Sequence, residues 1–466
     1  MLRCNPTTVL TLVLLSVCGN PWVIAAEKTP FELQQDDVVV FLGGTNMLRL
    51  QQSGHLESLL TYAFAEHKPR FRDLSWEADD VFALGTVIER WRPDGFGDRN
   101  KQIRRVGTTV AIAQFGAMES FRGQEGLADF VASYEALLND LREQARLIVL
   151  VSPIRFESSN NPHTPNLRQR NQDLATYVAA IGELAKRHDL VFVDLFNSSL
   201  DNLTRNGMHV TPEAQPRLAQ EIVGHLGCAT ADPEFLEPLR AAVREKHRLW
   251  YDYWRPANWK LLYGDDSQRQ FTRGGNDYIP FREEWKRLLP LIEKAEERVW
   301  LVAAGQPDPG AARPAPEKLH GDPSADVAEE LRAFTVSDDL QVNLFASEEH
   351  GLTSPLAIRW DPAGKMYVTV TTTYPHVYPG DLPNDKIITL EDRDGDGVAD
   401  HPKVFAEGLN IPTGLEWGDG GVYVGQNTEL LFLQDTDGDG IADDRRVMLS
   451  GFGNGDSHQT INSFIW

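Results

Sequence analysis

Four short, continuously apolar runs separated by longer amphipathic segments constrain this chain most: VVFL at 39–42, TVAIAQF at 109–115, LIVLVSP at 147–153 and LVFVDLF at 190–196. Strands without polar alternation are buried on both faces, and strands that alternate with helices assemble into parallel sheets. The pattern predicts an α/β domain from Val38 to about Leu226. Ligands of such open sheets meet the loops beyond the strand C-termini. That directs attention to residues 43–46, 116–120 and 153–157, and to the later loop around His209.

The chain has 466 residues, more than one ordinary hydrophobic core organises, so further domains are expected. Its formal charge of −23 leaves no excess of cations for counterion release, which argues against non-specific nucleic-acid binding. At the N-terminus, Arg3 precedes an apolar run from Val9 to Val17 and then the small residues Ala25 and Ala26. This order of charge, apolar run and small residues predicts a signal peptide over 1–26 and an exported product, periplasmic or extracellular. Cys4 and Cys18 would leave with it, so Cys228 alone would remain and no internal disulfide framework is possible.

The loops carry four blocks in order: FLGGTN at 41–46, FRDLSWEADD at 71–80, FGAMESF at 115–121 and LTRNGMHVTPE at 203–213. Together they resemble the SGNH/GDSL hydrolase family over roughly 38–300. The resemblance implies a three-layer, flavodoxin-like α/β domain over 33–228 and ester hydrolysis on an acylated carbohydrate. It places Thr45 where the family has its serine nucleophile, His209 as the base, and Asn206 where an aspartate usually orients that histidine. Backbone N–H groups at Gly44 and Ala78 fall at the oxyanion positions, while Met118 replaces an asparagine donor. A hydroxyl is weakly nucleophilic until a base activates it, and the side-chain donor lost at Met118 would cost about 3 kcal/mol of transition-state stabilisation. Asp201 and Glu213 are further candidates to orient His209. Glu119 and Arg155 offer polar substrate contacts, or equally a buried salt bridge with each other. An acylated glycan or polysaccharide is the expected partner, and a non-catalytic glycan-binding or scaffold protein is the competing reading.

Residues 229–303 are rich in helix formers and aromatics and predict a helical extension that covers the α/β domain. The cluster of Trp250, Tyr251, Tyr253, Trp254 and Trp259 suits either core packing or stacking on sugar. Prolines and glycines over 304–326 read as a linker.

Beyond it, EDRDGDGVAD at 391–400 recurs as QDTDGDGIAD at 434–443. Asp392, Asp394, Asp396 and Asp400 match Asp435, Asp437, Asp439 and Asp443. Hard oxygen donors at alternating positions, opened by Gly395, Gly397, Gly438 and Gly440, suit Ca²⁺, although neither loop is a complete EF-hand. No organic cofactor is indicated. The flanking strands repeat as well, SPLAIRWDPAGKMYVTV at 354–370 against IPTGLEWGDGGVYVG at 411–425, with TTTYPHVYPGDLPN at 371–384 inserted into the first copy. Repeats near this period suggest propeller blades, and two blades with the start of a third predict an incomplete β-propeller over 327–466. YPHVYPGDLPNDKIITLEDRDGDG, GLNIPTGLEW and GFGNGDSHQTINSF resemble the opening of a planctomycete-type membrane-bound dehydrogenase domain related to glucose/sorbosone dehydrogenases. That resemblance implies a longer propeller, electron-transfer domains in longer relatives, and a propeller oxidoreductase as a third functional reading.

Overall fold

The computed structural model describes residues 31–83, 98–159, 164–232, 234–263, 281–311 and 326–465. The leader predicted over 1–26 lies outside them. No helix among the described residues is long and apolar enough to cross a membrane.

The first module is built on five parallel strands, β1 (Val38–Gly43), β2 (Arg70–Asp73), β3 (Val110–Gln114), β4 (Leu147–Val151) and β5 (Val191–Val193), in the order β2-β1-β3-β4-β5. The helices between and after them are α1 (Thr45–Ser53), α2 (His55–Ala63), α3 (Arg99–Arg105), α4 (Leu127–Arg142), α5 (Asn171–Arg187) and α6 (Gln215–His225). Alternate residues of each central strand enter opposite layers. Val39 and Phe41 join Val110, Ile112 and Val149 beside α1, α2 and α6. Val40 and Leu42 join Ala111, Ala113, Ile148 and Leu150 beside α4 and α5. Both faces are therefore covered, which is why these strands read as unbroken apolar runs.

The helical extension packs along the β2 edge. Helix α7 (Glu237–Trp254) and helix α10 (Leu288–Ala303) pair with each other, with the shorter α8 (Trp259–Tyr263) and α9 (Phe281–Trp285) between them in sequence. Leu239, Ala242 and Val243 of α7 bury in one layer and Leu249, Trp250 and Trp254 in the other. A buried ion pair fixes the contact: Lys246 Nζ lies 2.7 Å from Glu57 Oε1 and donates to the Phe71 carbonyl at 3.2 Å. The aromatic cluster is spent on this packing. The Trp250 indole donates to the Asp73 carbonyl, Tyr253 stacks on Trp285 at 4.3 Å, and a Cβ on Gly455 would lie 2.5 Å from the Trp259 ring. These side chains do not form an open sugar-stacking platform.

After the short helix α11 (Val327–Ala333) come two antiparallel four-stranded sheets. One holds β6 (Pro355–Trp360), β7 (Met366–Val370), β8 (Asp385–Leu390) and β9 (Lys403–Leu409). The other holds β10 (Pro412–Gly418), β11 (Gly421–Gln426), β12 (Glu429–Gln434) and β13 (Asp444–Ser450). Each is a meander, as the internal repeat requires, and Tyr367, Ile387, Phe405, Leu415, Val424 and Leu431 form the core between them. The segment inserted into the first repeat docks on the helical extension: Asn258 donates to the Pro375 carbonyl at 2.7 Å, and Arg248 donates to the carbonyls of Asp381 and Gly380.

Candidate active site

The tight turn from β1 into α1 puts Thr45 at the first position of the helix, half-buried, with Gly44 just before it. A Cβ at Gly44 would lie 3.0 Å from the Asp79 carbonyl, so the turn and the 73–83 loop approach too closely for a larger residue without movement. Thr45 Oγ1 accepts a hydrogen bond from the Ala78 N–H at 3.1 Å. Ala78 adopts a left-handed backbone, φ 55°, a conformation that favours glycine and strains other L-residues.

The loop carrying His209 is held from three sides. The Glu157 carboxylate accepts the N–H groups of Leu203 and Thr204 and the Thr204 hydroxyl, at 2.6–3.1 Å. The Glu157 N–H donates to the Gly207 carbonyl at 2.8 Å, and a Cβ at Gly207, where φ is 86°, would sit 2.5 Å from the Glu157 carbonyl oxygen. Asn46 clips the loop to α1: its Nδ2 donates to the Met208 carbonyl at 2.9 Å and its Oδ1 accepts the Val210 N–H at 3.0 Å. Neither Asn46 nor Glu157 stands out in the sequence, where one is the residue after Thr45 and the other the end of a strand-exit loop.

The result is one cleft lined by Gly44, Thr45, Ala78, Met118 and His209. Among the described residues no hydrogen bond joins Thr45 to His209. Burial of the imidazole against the cleft wall, and then the Arg49 cation, hold its pKa below the ordinary histidine value, although the residue as a whole stays exposed.

Asn206 occupies the position beside His209 Nδ1, at 2.9 Å. Its Oδ1 accepts two backbone N–H groups, from Met208 at 3.1 Å and His209 at 2.8 Å. Only a carbonyl oxygen can accept them, so the NH₂ group must face the ring. An amide nitrogen only donates. His209 Nδ1 therefore accepts, and in the neutral imidazole the proton sits on Nε2. Asp201 and Glu213 do not take this place: Asp201 is exposed and lies 3.8 Å from Arg217, and Glu213 is exposed in the turn before α6.

Of the two expected substrate contacts, Glu119 lies at the cleft and Arg155 does not line it. Glu119 lines the cleft, but its carboxylate is committed to backbone, Oε1 accepting the Val81 N–H at 2.7 Å and Oε2 the Gly116 N–H at 2.8 Å. It clamps two loops, with a backbone N–H already on each oxygen, and burial pushes its pKa up to about 7. Arg155 is exposed, with its guanidinium over the Phe196 ring at 5.4 Å, and forms neither the cleft wall nor a salt bridge with Glu119.

In the second module, carboxylate oxygens of Asp392, Asp394 and Asp400 lie within 4.8 Å of one another, as do those of Asp435, Asp437 and Asp439. Each loop is a ladder of side chain to backbone bonds: Asp392 accepts the N–H groups of Gly395 and Gly397, and Asp435 those of Gly438 and Gly440. Asp396 lies outside its triad and accepts the Val398 N–H, while Asp443 accepts the Thr436 N–H and hydroxyl.

Residues 326–466 match a domain of unknown function, DUF7133. No curated protein is similar to this chain. Among solved structures, it is similar to BT4096, a gut microbial diltiazem-metabolizing enzyme, at 14% identity over 43% of this chain and 49% of that one, with a TM-score of 0.35. The chain thus spans about half of that enzyme. It is also similar to Axe2, an acetylxylan esterase from Geobacillus stearothermophilus, at 15% identity over 44% of this chain and 100% of that one, with a TM-score of 0.33.

Proposed function

We propose that the first module is an ester-binding module that retains the cleft of a hydrolase but has lost the proton acceptor that hydrolysis through Thr45 requires. The orientation of the Asn206 amide carries this reading. To activate the hydroxyl, His209 must present a bare Nε2, and with Nδ1 accepting from Asn206 the neutral ring bears its proton there instead. Met118 at the rim adds no hydrogen-bond donor for a developing oxyanion. What remains, the N-terminal end of α1 and the Ala78 N–H once a ligand displaces Thr45 Oγ1 from it, suits a polarised acyl carbonyl, and an acylated carbohydrate is the ligand class we propose.

The acidic loops of the second module are proposed calcium sites. Their donor chemistry fits: each gathers three carboxylates on a turn already ordered by Asx hydrogen bonds, and hard oxygen donors are what Ca²⁺ selects. The two sheets are proposed blades of a propeller, on the strength of their equal strand order and shared repeat.

Calorimetric titration with an acetylated oligosaccharide and its deacetylated form, with acetate release followed in parallel, tests the ester-binding reading. We expect binding that prefers the acetylated form and acetate release no faster than in a His209→Ala variant. Turnover that His209→Ala abolishes would overturn it.

A further inference from the structure

Ala78 holds a backbone conformation, φ 55°, that an alanine leaves unless its surroundings forbid it. Backbone bonds fix the ends of its turn: the Trp76 N–H donates to the Gly43 carbonyl at 3.0 Å, and the Asp79 N–H donates to the Trp76 carbonyl at 3.1 Å. The middle of the turn is held through a side chain. Glu77, the residue before Ala78, pairs with Arg255 at the end of α7, and both side chains are only 4% exposed. The Arg255 guanidinium lies in turn 3.5 Å from the centre of the Trp76 ring and 5.4 Å from that of Tyr251, so the ion pair and the turn are packed as one unit.

The second module closes on this unit. Gly451, the residue after β13, lies so near that a Cβ there would stand 3.1 Å from Glu77 Cβ and 3.8 Å from its Cγ. The same module reaches the helix that carries Thr45: Glu429, the first residue of β12, accepts from Arg49 Nη2 at 2.9 Å, one helical turn beyond Thr45. The bond between the Ala78 N–H and Thr45 Oγ1 joins the 73–83 loop to α1, and both of these elements therefore touch the second module. A buried ion pair tolerates the loss or displacement of a partner poorly, because either leaves an uncompensated charge.

We propose that the second module is part of the frame of the cleft: Gly451 and Arg255 together clamp Glu77, and the clamp keeps Ala78 in its left-handed conformation with its N–H on Thr45. Glu77, Arg255 and Gly451 are then positioning residues. Each link is a contact or a covalent neighbour: Gly451 against Glu77, Glu77 paired with Arg255, Glu77 joined to Ala78, and Ala78 bonded to Thr45. Among the described residues the second module contributes none to the cleft lining, yet it shapes the cleft through this chain. The inference stands apart from the ester-binding reading, because the Ala78 N–H is followed without any ligand.

The test is amide hydrogen exchange at position 78, resolved by NMR on the full chain and corrected for the intrinsic rate of each residue type. Glu77→Gln removes the charge that Arg255 holds, and Gly451→Ala inserts a methyl group against Glu77. Each is expected to speed exchange of the Ala78 N–H by about five- to thirtyfold, the Boltzmann factor for releasing a left-handed alanine, while amides of β3 and β4 keep their wild-type rates. The diagnostic comparison repeats both changes in an Ala78→Gly background. Glycine has no strain to release, so the acceleration is expected to vanish there. A merely structural role predicts that the loosening persists whatever residue stands at position 78. Acceleration that survives Ala78→Gly, acceleration from only one of the two changes, or none from either would overturn the proposal. If Glu77→Gln does not fold, Gly451→Ala decides alone: acceleration that Ala78→Gly suppresses supports the proposal, and an unchanged rate, or one that Ala78→Gly leaves in place, refutes it.

Discussion

Replacing Asn206 by Asp restores the acceptor that the imidazole lacks and leaves the loop otherwise intact. One carboxylate oxygen inherits the N–H groups of Met208 and His209, at 3.1 and 2.8 Å, and the other takes the place of the NH₂ group 2.9 Å from Nδ1. Nδ1 then donates, and Nε2 keeps its lone pair. The wrong tautomer in a hydrolase triad costs about 10⁴ in kcat, or roughly 5 kcal/mol of barrier. Not all of this returns here, because Thr45 is a more hindered nucleophile than serine and Thr45 Oγ1 must turn from the Ala78 N–H toward His209. We expect a gain of about 10² to 10⁴ in p-nitrophenyl acetate hydrolysis over the wild type. The missing donor at Met118 would still hold the rate about 10² to 10³ below a complete site. His209→Ala or Thr45→Ala placed in the Asn206→Asp background should abolish the gain, which separates it from a contaminating esterase. A folded Asn206→Asp variant no faster than wild type would refute the tautomer argument, as would wild-type turnover already dependent on His209.

Four other outcomes follow from the packing and the loops. Ala78→Gly relieves the left-handed strain and should raise the urea midpoint by the equivalent of roughly 0.5–1 kcal/mol. Lys246→Met strands the Glu57 carboxylate in the interior and should cost about 3–5 kcal/mol in chemical denaturation, while Lys246→Met with Glu57→Leu should recover most of the loss. Glu119 has a folded pKa of about 7, above its unfolded value, so its contribution to stability is full below about pH 4.5 and declines as pH rises toward 7. The destabilisation caused by Glu119→Gln, read from denaturation curves, should therefore be smaller at pH 8 than at pH 5, by up to about 2 kcal/mol. Calorimetric titration with Ca²⁺ should show saturable binding that Asp392→Ala and Asp435→Ala each reduce, and no heat in the wild type would remove the calcium proposal.

The α/β sheet was legible because double burial writes a continuous apolar signature into Val38–Gly43, Val110–Gln114 and Leu147–Val151. The meanders were legible because the same strand pattern occurs twice. What the chain does with its polar residues was much less so. Glu119 and Arg155 had the chemistry of ligand contacts, but whether a carboxylate is free depends on backbone N–H groups at Val81 and Gly116 that no composition or spacing encodes. The roles of Asn46 and Glu157 are hidden for the complementary reason: they act on backbone groups more than 40 residues away.

The departure at position 206 has a meaning that the sequence alone does not supply. Asparagine and aspartate are close in shape, and an asparagine orients the base in other hydrolytic triads, so substitution by itself decides nothing. The decision lies in the two backbone N–H groups that take Oδ1. Were Oδ1 free to face the ring, it would accept from Nδ1–H and the base would survive. Because the turn 206–209 claims that oxygen, the same side chain that holds the loop also puts the wrong atom toward His209. An aspartate escapes the conflict, having two acceptors where asparagine has one, and can serve the turn and the imidazole together. On the proposed reading, the loss of the base is thus a consequence of the loop's own hydrogen bonding.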